Sequence, residues 1–237
     1  RQKIFEGGNT SVFLKASTGL FSQPPRVPTI LPGLDFGLLN LGMQRSWQST
    51  LGVSLEHGLW DYRMTAFLNE MNNLSLDWGM IDENGDIPVA VDGRAYGVEW
   101  MVRRARAHGV FGWLSYSWSR GLRNWGKGWR WFALDREHVA NAVVGFEMPR
   151  GWAISTRLLY QSGGPKKPEL HSLDTTPRRP GFFRVDIRFD RRVIFDEWLI
   201  EYHVDLGNAL VAEESLTASG ADPVAYILPM LGVTVRF

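Results

Sequence analysis

Between Phe182 and Asp190 the chain alternates without a break. Phe183, Val185, Ile187 and Phe189 fall on one side of an extended backbone; Arg184, Asp186, Arg188 and Asp190 fall on the other. Successive side chains of a strand point to opposite faces, so this stretch predicts a strand with one apolar and one charged face. The pattern recurs. Tyr96, Val98, Trp100 and Val102 oppose Gly97, Glu99, Met101 and Arg103. Trp152, Ile154, Leu158 and Tyr160 oppose Ala153, Ser155, Arg157 and Gln161. Trp198, Ile200, Tyr202, Val204 and Leu206 oppose Glu201, His203 and Asp205, and Leu231, Val233, Val235 and Phe237 oppose Gly232, Thr234 and Arg236. Sustained helical periodicity is hard to find. Alternation bounded by Gly, Pro, Asn and Asp predicts about ten strands: 10–22, 43–56, 59–72, 94–105, 110–121, 138–148, 152–162, 182–192, 197–206 and 228–237.

A soluble sheet with one face on a core would show the same alternation. The connections distinguish the two cases. Those after the second, fourth, sixth and eighth predicted strands are tight ("HG", "ARAHG", "PRG", "VIFDE"), and the others are long and rich in Gly, Pro, Trp and charge. A soluble sandwich has no physical reason for strict alternation of short and long connections. A membrane barrel does, because one rim carries short periplasmic turns and the other long extracellular loops. Strands of this length also suit a tilted crossing of the bilayer. Trp47, Trp60, Tyr96, Trp118, Trp152, Tyr160, Trp198 and Phe237 sit near strand ends on the apolar side, where barrels place their aromatic girdles. The fold class expected is all-β, an antiparallel transmembrane β-barrel with the Phe183 side on lipid and the Arg184 side on a wet lumen.

Composition narrows this further. The 237 residues suit one large all-β domain, and a formal net charge of +1 gives no electrostatic footprint for nucleic acid. There is no cysteine, which excludes a disulfide framework and cysteine-based metal or redox sites. The 11 Trp and 13 Phe supply the girdles, and 25 Gly and 12 Pro supply the turns. No apolar run reaches the ~18 residues of a transmembrane helix, and "RQKIFEGGN" has no apolar signal region. The same opening stretch looks like the end of a descending strand and its turn.

Six stretches carry a family resemblance: "STGLFSQPPR" (17–26), "DGRAYGVEWMVRR" (92–104), "GWLSYSWSRG" (112–121), "REHVANAVVGFEMPRGWAISTRLLYQSGGP" (136–165), "FFRVDIRF" (182–189) and "LPMLGVTVRF" (228–237). In this order they resemble the C-terminal part of the barrel of TonB-dependent outer-membrane receptors. The terminal "GVTVRF" resembles the signal read by the barrel-assembly machinery, with Gly232, Val235 and Phe237 at its small, apolar and aromatic positions. Met230 stands at its upstream polar position and departs from the pattern. The resemblance implies the outer membrane of a Gram-negative bacterium, and contact with bilayer and lipopolysaccharide. It also implies a plug domain or another chain completing the barrel, and energy from the TonB system. Barrels of that family have about 22 strands. Residues 1–237 are therefore expected to be the C-terminal portion of an outer-membrane barrel without a plug domain, though a self-contained small barrel is an alternative.

Candidate chemistry is sparse. "GLRNWGKG" (121–128) approaches a phosphate loop but lacks the Ser or Thr after Lys127 and any following helix pattern. "DENGD" (82–86) spaces Asp82, Asn84 and Asp86 as calcium loops do, without the distal Glu; a polar turn explains it better. The five histidines are scattered, with no zincin spacing, and His203 with Asp205 lacks a nucleophile motif. Neither catalysis, a metal site nor a cofactor is expected. The candidate residues are binding residues. Glu99, Arg103, Arg157, Arg184, Asp186, Arg188, Asp190, Glu201, His203 and Asp205 are expected to face the lumen. Trp125, Lys127, Trp129, Arg130 and Trp131 mix basic and aromatic groups in a loop suited to anions, glycans or lipopolysaccharide, or to packing on itself. The functional expectation is import of a scarce nutrient, for example a metal chelate. The alternatives are a receptor-like barrel kept as a membrane anchor or scaffold, and a small passive channel.

Overall fold

The computed structural model describes residues 1–24, 42–74, 91–124, 128–168, 171–213 and 225–237. They form one antiparallel sheet of twelve strands: β1 (Gln2–Gly7), β2 (Thr10–Gln23), β3 (Gln44–His57), β4 (Trp60–Leu74), β5 (Val91–Ala107), β6 (Val110–Asn124), β7 (Trp129–Trp131), β8 (His138–Met148), β9 (Trp152–Gln161), β10 (Phe182–Phe195), β11 (Trp198–Gly207) and β12 (Leu228–Arg236). Each strand pairs with its chain neighbour, except that β8 lies beside β6 and the short β7 pairs with the upper end of β6. The sheet is open, with β1 and β12 as its two edges.

The expectation of about ten strands is corrected to twelve. The six-residue β1 is the strand end anticipated in "RQKIFEGG", and Gly8 and Asn9 turn it into β2. β7 has three residues, too few for any period to register. Two connections are also shorter than their sequence suggests. In "VIFDE", Val193, Ile194 and Phe195 pair with Ile200, Leu199 and Trp198, leaving only Asp196 and Glu197 as the turn. Three consecutive apolar residues break the period of two and hide the strand. In "ARAHG", a bulge between Arg104 and Ala107 resets the face, and the turn is His108–Gly109, both at positive φ (51° and 74°) as a type I′ hairpin turn requires.

Short and long connections alternate throughout. Gly8–Asn9, Gly58–Leu59, His108–Gly109, the 3-10 turn Pro149–Gly151 and Asp196–Glu197 stand on one rim. The other rim carries the connections 24–43, 75–90, 125–137, 162–181 and 208–227.

Register keeps the faces separate. Val185 lies opposite Leu158, Phe189 opposite Ile154 and Val204, and Val204 opposite Leu231. Behind them Asp186 lies opposite Arg157, Arg188 opposite Asp205, and Arg192 opposite Glu201. Among the described residues the buried apolar side chains are Val91, Leu122 and Val185, with Pro165 and Pro168 in the 162–181 connection. Leu20, Leu51, Val233 and Leu231 of the apolar face stand 56–83% exposed. A soluble domain could not fold around so small a core or leave so continuous an apolar face in water. Hydrocarbon resolves both problems. No described helix is long and apolar enough to cross a membrane.

The two-faced register generates a test. Ile187→Arg puts a charge on the apolar face and should cost roughly 2–4 kcal/mol near mid-bilayer. Ser155→Arg, opposite Arg188 on the polar face, should be mild. Heat-modifiable gel mobility reads both, and equal tolerance would reject a lipid-facing assignment.

Candidate functional site

The polar face is a wall of charged side chains that pair across strands. β10 supplies alternate cations and anions because its period of two sends Arg184, Asp186, Arg188, Asp190 and Arg192 the same way. Arg184 donates from Nε to Asp186 at 2.7 Å, and Arg157 of β9 lies 3.5 Å from the same carboxylate. The backbone N–H of Asn208 also donates to Asp186, at 2.9 Å. Arg188 is held by three carboxylates: Asp190 at 2.8 Å, Asp205 at 3.4 Å and Glu201 at 3.6 Å. Arg192 bridges Glu201 (3.2 Å) and Glu147 of β8 (3.6 Å), and Glu147 meets Arg106 of β5 at 2.9 Å. Each such pair is partly exposed and contributes only ~0.2–1 kcal/mol. Their collective effect is to keep a charged wall neutral.

All ten residues predicted to face the lumen lie on this face, but the network does not take them all in. His203 sits 3.9 Å from Asp205, which Arg188 also engages. Its imidazole lies directly over Gly232, where any Cβ would collide with the ring; a close approach, not a turn, requires glycine there. Glu99 and Arg103 make no ion pair among the described residues. Glu99 lies opposite Thr65 and Ser117 in a shallow groove that also includes Arg63, Ser115 and Asn141. The wall thus has a charge-paired half on β8–β11, in which His203 Nδ1 is buried without a hydrogen-bond partner, and an open polar half on β4–β6. The open half can hydrogen-bond a polar guest.

A second cluster caps the long-loop rim. Asp135 is 4% exposed. It accepts the N–H of Gly121 at 2.6 Å, pairs closely with Arg178, and stands 3.7 Å from Arg120. Arg120 in turn meets Glu137 at 2.5 Å. The Trp131 ring is flanked by Arg120 (4.5 Å) and Arg178 (5.6 Å), and its indole N–H donates to the carbonyl of Leu173 at 2.8 Å. Arg136 has its pKa pulled down by burial and by the neighbouring Arg179 and Arg178, against the pull of Asp135. Its guanidinium fills the space a Cβ on Gly164 would need, so the "GG" of the 162–181 connection is a contact requirement.

Of the loop residues predicted to bind, Trp129 lies under Arg94 (5.1 Å), Arg130 donates to the Trp129 carbonyl, and Trp131 is enclosed as above. Trp125, Lys127 and the 82–86 stretch lie outside the described residues. Sequence reasoning missed Asp135, Arg120, Glu137 and Arg178. Asp135 and Arg178 lie 43 residues apart, and no local spacing announces the pair. Of the residues resembling the assembly signal, Val235 lies opposite Ile200 on the apolar face. Phe237 rests 5.2 Å from the Trp198 ring at the short-turn rim.

No family model matches the chain, and no curated protein sequence does. Solved structures do. The ferric preacinetobactin receptor BauA of Acinetobacter baumannii superposes on 99% of this chain with a TM-score of 0.66 at 16% identity. The fold is that of part of such a receptor's β-barrel. The ferric yersiniabactin uptake receptor FyuA of Yersinia pestis covers 97% of it, with a TM-score of 0.57 at 17% identity. The chain spans about 35% of the length of each.

The loop cap has its own test. Asp135→Ala leaves Arg178 and Arg120 without their buried carboxylate and should cost about 3 kcal/mol of cap stability. Limited proteolysis should then cut the 162–181 connection faster while the strands stay resistant. An unchanged cutting rate would mean that Asp135 does not hold the cap.

Proposed function

We propose that residues 1–237 are the C-terminal portion of the barrel of a TonB-dependent outer-membrane receptor. In this reading the whole protein imports a scarce nutrient, such as a metal chelate, across the outer membrane of a Gram-negative bacterium. The observation that carries it is the pairing of an exposed apolar face with a neutral charged wall, between a rim of short turns and a rim of long loops. The superposed structures are receptors for ferric chelates by their own descriptions, which favours import over an anchor or a passive pore. A plug domain, or another chain, and the remaining strands would complete the barrel, with energy from the TonB system. Lipopolysaccharide would surround the long-loop rim, and the barrel-assembly machinery would read the β12 end. The protein would bind and pass its cargo without covalent chemistry.

Uptake of a panel of labelled ferric chelates, in cells lacking other receptors and carrying the complete gene, tests this. At least one chelate should enter, and entry should stop when energy coupling at the inner membrane is removed. Entry that ignores energy would indicate a passive pore. Normal membrane insertion with no uptake would favour a scaffold.

Orientation is checked separately in this cysteine-free chain. A cysteine at Leu134 should react with an impermeant maleimide on intact cells, and one at Arg150 only after permeabilisation. The reverse labelling would invert the barrel.

A further inference from the structure

Outward-facing arginines near the two rims differ in their partners. Towards the long loops Arg94 meets Glu70 at 2.6 Å and Arg120 meets Glu137 at 2.5 Å, while the exposed Arg45, opposite Asn72, forms no ion pair among the described residues. Towards the short turns neither Arg104 nor Arg191 meets a carboxylate among the described residues. Arg104 donates to the backbone carbonyls of Ala107 and Val110. Arg191 forms no ion pair among the described residues, and its Nη1 is buried with no hydrogen-bond partner.

Arg191 continues the apolar row of Phe183 to Phe189, so it faces outward and not into the lumen. Register places it between Trp152 of β9 and Tyr202 of β11. Its guanidinium lies 5.1 Å from the Trp152 ring centroid. Both flanking rings are almost half exposed, at 49% and 45%. The 3-10 turn closes the lower side: a Cβ on Gly151 would lie 3.6 Å from Arg191 Nη1, and the neighbouring Arg150 is exposed with a φ of 66°. The acids of adjacent positions, Asp190 and Glu201, point the other way and are engaged by Arg188 and Arg192.

We propose that Arg191, framed by Trp152 and Tyr202 and assisted by Arg150, binds the headgroup phosphate of an anionic phospholipid in the inner leaflet. This rests on the membrane reading given above. Exposed Trp and Tyr rings settle at headgroup depth, which sets Arg191 level with lipid phosphates. A cation without a counter-ion on an apolar face is costly, and a planar fork of donors matches a phosphate oxygen pair. Arg191 as a whole remains partly exposed, although its Nη1 is buried. Two arginines without an outward carboxylate favour an anionic headgroup over a zwitterionic one.

The complete protein in non-ionic detergent, examined by native mass spectrometry, tests the site. The probes are phosphatidylglycerol, phosphatidylcholine and a diacylglycerol with the same acyl chains. Phosphatidylglycerol adducts should exceed the other two. Arg191→Gln should lower them about fivefold, with Arg150→Gln adding to the loss, while diacylglycerol adducts stay unchanged. Arg191→Lys should retain part of the binding. Adducts that ignore both glutamine substitutions, in a protein that keeps its heat-modifiable mobility, would overturn the site alone. Displacement of the lipid by millimolar inorganic phosphate would make it a free-anion site and also overturn the lipid assignment. A wild-type protein soluble without detergent would overturn the membrane reading and the site together.

Discussion

Everything in this structure depends on the backbone hydrogen-bond ladder. In hydrocarbon no water is available to an unpaired N–H or C=O, and each one left open costs several kcal/mol. The chain meets that constraint with ladders that run strand to strand from β1 to β12. Tight turns of two or three residues on one rim keep successive strands in register, so few backbone groups are spent on connections there. The interruptions are local: a bulge between Arg104 and Ala107, and shifts near Ile4 and between Met71 and Leu74. Those at Arg104 and Met71 lie towards strand ends, and that at Ile4 lies within the short β1. At β1 and β12 the ladder reaches its open edges, and further strands are what would continue it.

The second constraint is that a strand cannot choose its faces residue by residue. Once Phe183 points outward, Arg184 must point inward, and the whole wall follows. The protein uses that rule to segregate about ten charged groups on one side of β8–β11 and then neutralises them against each other. Where the neutralisation stops, polar groups are left open: in the groove around Glu99 on one face, and at Arg191 on the other. The loop cap follows different rules. It has a true buried acid, Asp135, and holds two long connections together through Arg178 and Trp131.

Much of this was legible in the chain. The period of two in "FFRVDIRFD", "AYGVEWMVRR" and "WLIEYHVDL" assigned faces correctly because burial on one side selects for alternation over many residues. The loop asymmetry was legible because tight hairpin turns need few residues of recognisable types. Strand ends were less so: Val193 to Phe195 lack alternation, and the bulge after Arg104 shifts it by a residue. β7 was too short to carry a signal.

The sequence by itself determined the fold class, the two faces and the two rims, because these arise from local stereochemistry repeated along each strand. Only the tertiary structure decided which charges meet. That Arg188 would take three carboxylates, that Asp135 would join Arg178 across 43 residues, and that His203 would lie over Gly232 all depend on register between distant strands. Register is set by the sum of many cross-strand contacts and turn geometries. No single residue encodes it, so the pairings, and an Arg191 without an ion pair among the described residues, emerge only when the sheet is assembled.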